Sequence, residues 1–183
     1  MKNMKVLALD IDGVMTDGTK IYDKDSNVIA KRYNDKDFTA IKLFKELGVD
    51  VCFISSDSNV NSAMANERKV TFFHSRLPDG GIDKKQFVSV LEKEYDADSG
   101  CQGTDCEIYY VGDDFFDLDI MMMLSEQNRI CPSDAPEYVK RMCGVVCETS
   151  GGEGVVAEIL TNYLEETNRF EEVYDLVNHN NLV

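Results

Sequence analysis

The chain alternates short, continuous apolar runs with longer segments whose apolar residues recur at helical spacing. VLAL, set between Lys5 and Asp10, is the first such run, and a run this short ending in acids and glycine predicts a strand buried on both faces. The same pattern predicts strands at residues 49–55 (VDVCFIS), 70–73, 107–112 (EIYYVG), 129–131 and 145–146. Helical spacing marks residues 38–47 (FTAIKLFKEL), with Gly48 as the stop signal. Further helices are predicted from Ser58, as N-cap, to about Arg68, from Asp83 onward, and over 115–124, 135–142 and 155–164. Between Thr19 and Tyr33 two short segments flank the turn formers DKDSN, which predicts a β-hairpin at the exit of the first strand.

Strand and helix therefore alternate, and that order predicts an α/β fold: one doubly wound, Rossmann-like parallel sheet with a small β-hairpin cap. Residues 1–164 form the expected domain, with the hairpin at about 19–33, and the acidic, loosely amphipathic residues 165–183 form a tail. A length of 183 residues suits a single core.

Charge narrows the field. The chain carries 19 Lys and Arg against 34 Asp and Glu, a net charge of −15, and a field of that sign repels nucleic-acid backbones and anionic lipid surfaces. An anionic substrate then requires a local cation. No stretch reaches the ~20 apolar residues of a membrane helix, the N-terminus runs directly into a strand pattern, and the 6 cysteines read as ordinary thiols. A cytoplasmic protein with no nucleic-acid or membrane partner is expected.

In open α/β sheets the functional crevice lies beyond the carboxyl ends of the strands. The first predicted strand ends in Asp10-Ile11-Asp12-Gly13, the second in Ser55-Ser56-Asp57, and the third in Gly112-Asp113-Asp114 with Asp117 one turn on; Lys84 opens an intervening helix. Clustered carboxylates repel one another unless a cation joins them, and Mg²⁺ takes one or two carboxylates together with a substrate phosphate. Beside such an ion one Asp can attack phosphorus and another can protonate the leaving oxygen and then activate water, while a hydroxyl and an ammonium hold the phosphoryl oxygens.

DIDGVMTDG (Asp10 to Gly18), the Ser ending FIS, the Lys of IDKK and VGDDFFD (Val111 to Asp117) resemble, in order, the four motifs of haloacid dehalogenase superfamily phosphatases. The hairpin after the first motif and the late GGEG turn narrow the resemblance to the small-cap branch of 3-deoxy-manno-octulosonate 8-phosphate and nonulosonate 9-phosphate phosphatases. The resemblance implies a Mg²⁺-dependent phosphatase acting on a phosphorylated 2-keto-3-deoxy sugar acid through an aspartyl-phosphate, as a homotetramer. It implies Asp10 as nucleophile, Asp12 as general acid/base, Ser55 as phosphate ligand and Lys84, over its neighbour Lys85, as the neutralising lysine. Mg²⁺ would sit on Asp10, the Asp12 backbone carbonyl and Asp113, with Asp114 and Asp117 in support. Thr16, Ser56, Asp57, Arg68 and Arg76 are the candidate substrate contacts, and the tail is a candidate lid over a neighbouring subunit's site. The chain departs from the family pattern at Ser55-Ser56 for Thr-Gly, at Asp57 where the eight-carbon-acid enzymes place Arg, and at Lys36-Asp37-Phe38 for Arg-Asp-Gly.

Plainer readings compete. A lone Asp-x-Asp-Gly is more often a cap, a turn or a calcium loop; agreement of four motifs at strand exits favours catalysis. Asp23, Asp25 and Asn27 read as a turn, the residues 121–124 (MMML) as core filler, and the pairs Cys101/Cys106 and Cys143/Cys147 as thiols because zinc spacing is absent. His74 and His179 are expected at the surface or in loops. The residues 151–154 (GGEG) are either an anion cradle at a helix start or a tight turn. A general small-molecule phosphomonoesterase and a non-catalytic oligomerisation or regulatory module remain the alternative functions.

Overall fold

The structure, a computed structural model, describes residues 1–100 and 107–179, with nothing beyond the backbone at His179; Cys101 and Cys106 lie outside the described residues. The strands are β1 (Val6–Leu9), β2 (Ile21–Tyr22), β3 (Val28–Ala30), β4 (Asp50–Ser55), β5 (Thr71–His74), β6 (Ile108–Val111), β7 (Arg129–Cys131) and β8 (Val145–Val146). The helices are α1 (Asp35–Glu46), α2 (Asn59–Glu67), α3 (Val88–Tyr95), α4 (Leu118–Met121), α5 (Glu137–Lys140), α6 (Val155–Thr167) and α7 (Phe170–His179). Six strands form one parallel sheet in the order β5-β4-β1-β6-β7-β8, and β2-β3 form the separate antiparallel hairpin. This is the expected α/β architecture.

Alternation along β1 divides the core. Leu7 and Leu9 face a cluster with Phe38, Ile41 and Phe44 of α1 and Val155, Val156 and Ile159 of α6, while Val6 and Ala8 face Val88 and Leu91 of α3, Ile120 and Met121 of α4 and Val139 of α5. All four β1 side chains are fully buried, which is why VLAL reads as an unbroken apolar run. β1 pairs with β4 on one side and β6 on the other. The chain reverses direction across the sheet here, so the crevice opens outside the carboxyl end of β1.

Several boundaries differ from the sequence pattern. The helices expected over 115–124 and from Asp83 each begin as a 3₁₀ turn, at Phe115–Asp117 and Lys85–Phe87. The Ser58 side chain makes no capping bond to α2. The tail does not start as a separate segment: α6 continues to Thr167, and α7 then packs Val173 and Leu176 onto the first core cluster. Met121 and Leu124 are core residues as expected, whereas Met122 and Met123 are exposed.

The GGEG segment is a tight turn packed on the β1 exit loop, not an anion cradle. A Cβ on Gly151 would lie 2.1 Å from the Gly13 carbonyl oxygen; the Gly151 N–H donates to Asp134 and the Gly152 N–H to the Val14 carbonyl. The amides of Val156 and Ala157 in the first turn of α6 donate to Asp37 Oδ1, at 2.8 and 3.1 Å, so an acid from α1 caps α6 and occupies the anion position.

Asp37 is fully buried and its Oδ2 has no hydrogen-bond partner among the described residues. Burial raises its carboxyl to about 6, against the pull of the two α6 amides. The folded state therefore protonates Asp37 more readily than the unfolded chain, where an aspartate titrates near ~3.9. Its contribution to stability is complete below that lower value and is lost as pH rises through the higher one. Urea unfolding at about pH 4.5 and about pH 7.5 should show wild type losing stability relative to Asp37→Asn as pH rises across this window. A difference that does not change with pH contradicts the assignment.

Candidate active site

Asp10 follows β1 directly, and its backbone N–H donates to the Val111 carbonyl of β6 at 2.9 Å, which extends the sheet pairing one residue past the strand. Its buried carboxylate lies 3.0 Å from Lys84 Nζ. Lys84 is 3% exposed and reaches Asp117 Oδ1 at 2.5 Å as well. Tyr110 donates its hydroxyl to the same Asp117 oxygen, and the Asp113 and Asp114 amides donate to Asp117 Oδ2 at 2.9 and 3.1 Å. Lys85 is exposed. Lys84, not Lys85, is thus the lysine of the site, and Asp117 supports it from below with both oxygens already bonded.

Asp113 is different. Its Oδ1 is buried and has no hydrogen-bond partner among the described residues, and ligand atoms of Asp10, Asp113 and Asp117 lie within 4.8 Å of one another. Burial first, then the Asp10 and Asp117 charges, raise the Asp113 carboxyl to about 9. Asp10 is raised to about 7 by burial, with Lys84 opposing and Asp117 adding to the rise. Two carboxyls held this far above their ordinary range, one with an unpaired buried oxygen, fit a hard divalent cation that replaces their protons. Gly13 leaves room for this arrangement: its φ is +91°, and a Cβ there would lie 2.0 Å from Asp113 Oδ2. Asp114 accepts from the Phe116 amide at 2.7 Å and, with Asp117, forms a reciprocal cap on the turn that presents Asp113.

On the opposite wall, Ser55 ends β4 with its hydroxyl 3.0 Å from Asn61 Nδ2. Asp12 leaves the same loop as Asp10, and its carboxylate is held by Lys31 Nζ at 2.7 and 2.9 Å. Asp10, Asp12, Ser55, Ser56, Lys84 and Asp114 line one cavity of about 220 Å³, together with Lys20, Arg76, Ile82 and Phe116. Arg76 is fixed there by Nε on the Ser56 carbonyl at 3.1 Å. A wider groove of about 480 Å³ beside Lys2 and Arg169 lacks this chemistry, since Arg169 is bonded to Glu172, the Tyr163 hydroxyl and the Leu47 carbonyl.

Three of the candidate substrate contacts are placed elsewhere. Thr16 is fully buried, with its hydroxyl bonded inside its own loop to Ile11 O and Gly18 N, and lies outside the cavity lining. Arg68 stacks its guanidinium 4.1 Å from the Phe38 ring centre and faces Asp35 at 3.7 Å. Asp57 is engaged by Lys31 at 2.8 Å and Lys20 at 3.2 Å; burial opposes its charge, but the two lysines outweigh burial and hold the carboxyl below its usual range. Asp57 and Arg68 do not pair with each other. His74 is exposed, with Nε2 3.2 Å from the Ser56 carbonyl, and Cys143 and Cys147 are free thiols. Sequence reasoning did not single out Lys20, Lys31, Asn61 or Tyr110 at this site. Lysines flanking a predicted hairpin that stands over an acidic rim were the available signal for the first two.

The fold and this constellation define a phosphatase of the haloacid dehalogenase class. No family model matches the chain. It is 30% identical over 162 residues to the 3-deoxy-D-manno-octulosonate 8-phosphate phosphatase KdsC of Haemophilus influenzae, covering 87% of this chain and 82% of that one. The cobalt-bound structure of the deoxy-D-mannose-octulosonate 8-phosphate phosphatase of Haemophilus influenzae superposes with a TM-score of 0.81 at 25% identity, over 96% of this chain and 98% of that chain. The Moraxella catarrhalis 3-deoxy-D-manno-octulosonate 8-phosphate phosphatase, in complex with magnesium, phosphate and KDO, shares the fold with a TM-score of 0.80 at 22% identity over 96% and 94% of the two chains. The chain belongs to the KdsC-like phosphatases of the haloacid dehalogenase superfamily.

The carboxyl cluster makes a prediction about the metal. Binding must displace protons from Asp10 and Asp113, so Mg²⁺ affinity, read by calorimetry, should fall as pH is lowered from about 8 to about 6. Asp113→Asn should abolish the Mg²⁺-dependent rise in Tm and raise the Tm of the metal-free protein near neutral pH, because Asn removes the cost of keeping a carboxyl protonated that would be ionised in the unfolded chain. A variant that is less stable without metal contradicts this account.

Proposed function

We propose that this protein is a Mg²⁺-dependent phosphatase that hydrolyses a phosphorylated 2-keto-3-deoxy sugar acid through an aspartyl-phosphate on Asp10. The observation that carries the reading is the buried Asp10 carboxylate between the Lys84 ammonium at 3.0 Å and the unpaired oxygen of Asp113. Mg²⁺ would be held by Asp10, Asp113 and the Asp12 backbone carbonyl, and bound there it offsets the charge of the phosphoryl group.

Lys84 and the Ser55 hydroxyl bind the equatorial phosphoryl oxygens. An Asp10 carboxylate oxygen forms a bond to phosphorus as the ester P–O bond breaks, and Asp12 gives its proton to the departing alkoxide. The sugar acid leaves. Asp12, now ionised, takes a proton from water as the water oxygen attacks phosphorus, releasing inorganic phosphate and the free Asp10 carboxylate. Asp114 and Asp117 fix the loop that presents Asp113, and Ser56 shapes the floor near the phosphate.

For the substrate, the similarity to the octulosonate 8-phosphate phosphatases supports the eight-carbon acid first; the nine-carbon acid 9-phosphates are the alternative within the same class. Arg76, in the lining of the cavity, supports a role in binding the substrate carboxylate. A homotetramer working in the cytoplasm belongs to the same reading. It is supported by exposed Ile21, Tyr22 and Ile29 on the hairpin and by buried cysteines kept as thiols.

Phosphate release from a panel containing octulosonate 8-phosphate, nonulosonate 9-phosphates and simple hexose phosphates tests this directly. Turnover should require Mg²⁺, vanish with EDTA and with Asp10→Asn, and be strongest on one keto-acid phosphate. Arg76→Gln should raise KM for that substrate ~10–100-fold more than for a hexose phosphate, the range expected for one lost charge-assisted hydrogen bond. Even activity over the panel would remove the sugar-acid assignment, and no activity by the folded, Mg²⁺-binding protein would favour a regulatory module.

A further inference from the structure

Lys31 follows β3, two residues before the hairpin rejoins the body of the protein, and its side chain is fully buried. A buried ammonium is costly unless its donors are all satisfied. Here Nζ has four oxygen partners: both Asp12 oxygens at 2.7 and 2.9 Å, Asp57 Oδ2 at 2.8 Å and Asn61 Oδ1 at 2.9 Å. Asn61 turns its other end to the site, with Nδ2 3.0 Å from the Ser55 hydroxyl and 3.4 Å from Asp12 Oδ2. Lys20, at the other foot of the hairpin, lies 3.5 Å from Asp12 and 3.2 Å from Asp57. Asp12 itself remains 22% exposed toward the cavity.

Among the described residues, every side chain bonded to the Asp12 carboxylate comes from the hairpin or from α2. Asp12 stands on a loop beyond β1 and has no side-chain anchor from that loop, whereas Asp10 is fixed by Lys84 on the body of the domain. We propose that Lys31 is the positioning residue for Asp12. It sets the direction in which that carboxylate faces the cavity, so that the hairpin holds the group that protonates the leaving oxygen. The inference rests on the phosphatase reading above and on Asp12 acting as the proton donor. Asp57 then has a role that needs no substrate: it is the second counter-ion that keeps Lys31 at Asp12. Lys31 acts through Asp12 and touches neither the nucleophile nor Lys84 in this structure.

Leaving-group dependence tests this. A sugar alkoxide must be protonated as it departs, whereas p-nitrophenolate leaves without a proton, and kcat/KM reports only the steps through departure of the alcohol. Lys31→Met should lower kcat/KM for octulosonate 8-phosphate ~100-fold, the lower end of what a placed general acid contributes, and lower it for p-nitrophenyl phosphate at least tenfold less. Lys31→Arg should restore part of the difference. Adding Lys31→Met to Asp12→Asn should not move the ratio further, because two residues acting as one unit are not additive. Asp57→Asn, which keeps the packing but weakens the hold on Lys31, should shift the ratio in the same direction and serves if Lys31→Met does not fold. Equal losses on both esters, or no loss on either, would overturn the proposal. Absence of Mg²⁺-dependent release from both esters by wild type would instead overturn the phosphatase reading, and this inference with it.

Discussion

One buried ammonium organises the site. Lys84 arrives from the turn after β5 and is sealed between Asp10 and Asp117, the first residue beyond β1 and the last of the 3₁₀ turn after β6. Without that cation, Asp10, Asp113 and Asp117 would be like charges within a few ångströms of one another in a largely dry crevice, an arrangement that burial and repulsion both oppose. With it, Asp117 binds Lys84, Tyr110 and two backbone amides at once. The β1 and β6 exits are thereby locked in register. Asp10 stays beside an ammonium, and Asp113 is left with an oxygen that no group among the described residues satisfies. Function follows from that residue of unmet demand: the fold balances the acids almost completely and leaves the remainder for a metal ion.

The same electrostatics reconcile a strongly acidic chain with an anionic substrate. A net charge of −15 disfavours any phosphate at long range, yet Lys20, Arg76 and Lys84 line a single small cavity. Lys31 stands just behind it, against Asp12 and Asp57. The hairpin is central to this distribution. Its two strands are short and outwardly exposed, so backbone pairing contributes little rigidity; ion pairs at its two feet hold it over the site instead. The cap and the loop after β1 are thus joined chiefly by charge, and residues of both line the cavity.

Much of this was legible in the sequence because the signals were local. Apolar runs ending in acids mark β1 and β6, and strand exits in an open α/β sheet converge by topology, so the sequence pattern alone puts Asp10, Asp12, Ser55, Asp113 and Lys84 on one rim. What was not legible depends on side chains that meet across long separations. Lys31 and Asn61 are 30 residues apart and bond at 2.9 Å, and nothing in either local pattern distinguishes them from surface residues. Arg68 looked like a binding cation because it is an arginine on the helix after the second motif, but its length lets it stack on Phe38 instead. Thr16 and the GGEG segment, which the sequence left open between an anion cradle and a tight turn, share a physical reason: hydroxyls and glycines signal close approach, and here the approach is of one loop to another. The Gly151 position is in contact with the Gly13 carbonyl, and the anion such a turn could hold is replaced by the carboxylate of Asp37 at the start of α6.

The central claim is that Asp10 is the nucleophile that takes up the phosphoryl group, and it is tested most directly by trapping the aspartyl-phosphate. Protein mixed with Mg²⁺ and excess octulosonate 8-phosphate, quenched in acid within one turnover and analysed by mass spectrometry, should carry one phosphoryl group on the peptide containing Asp10. That adduct should be labile to hydroxylamine. Turnover without an adduct, or an adduct on any other residue, would contradict the account.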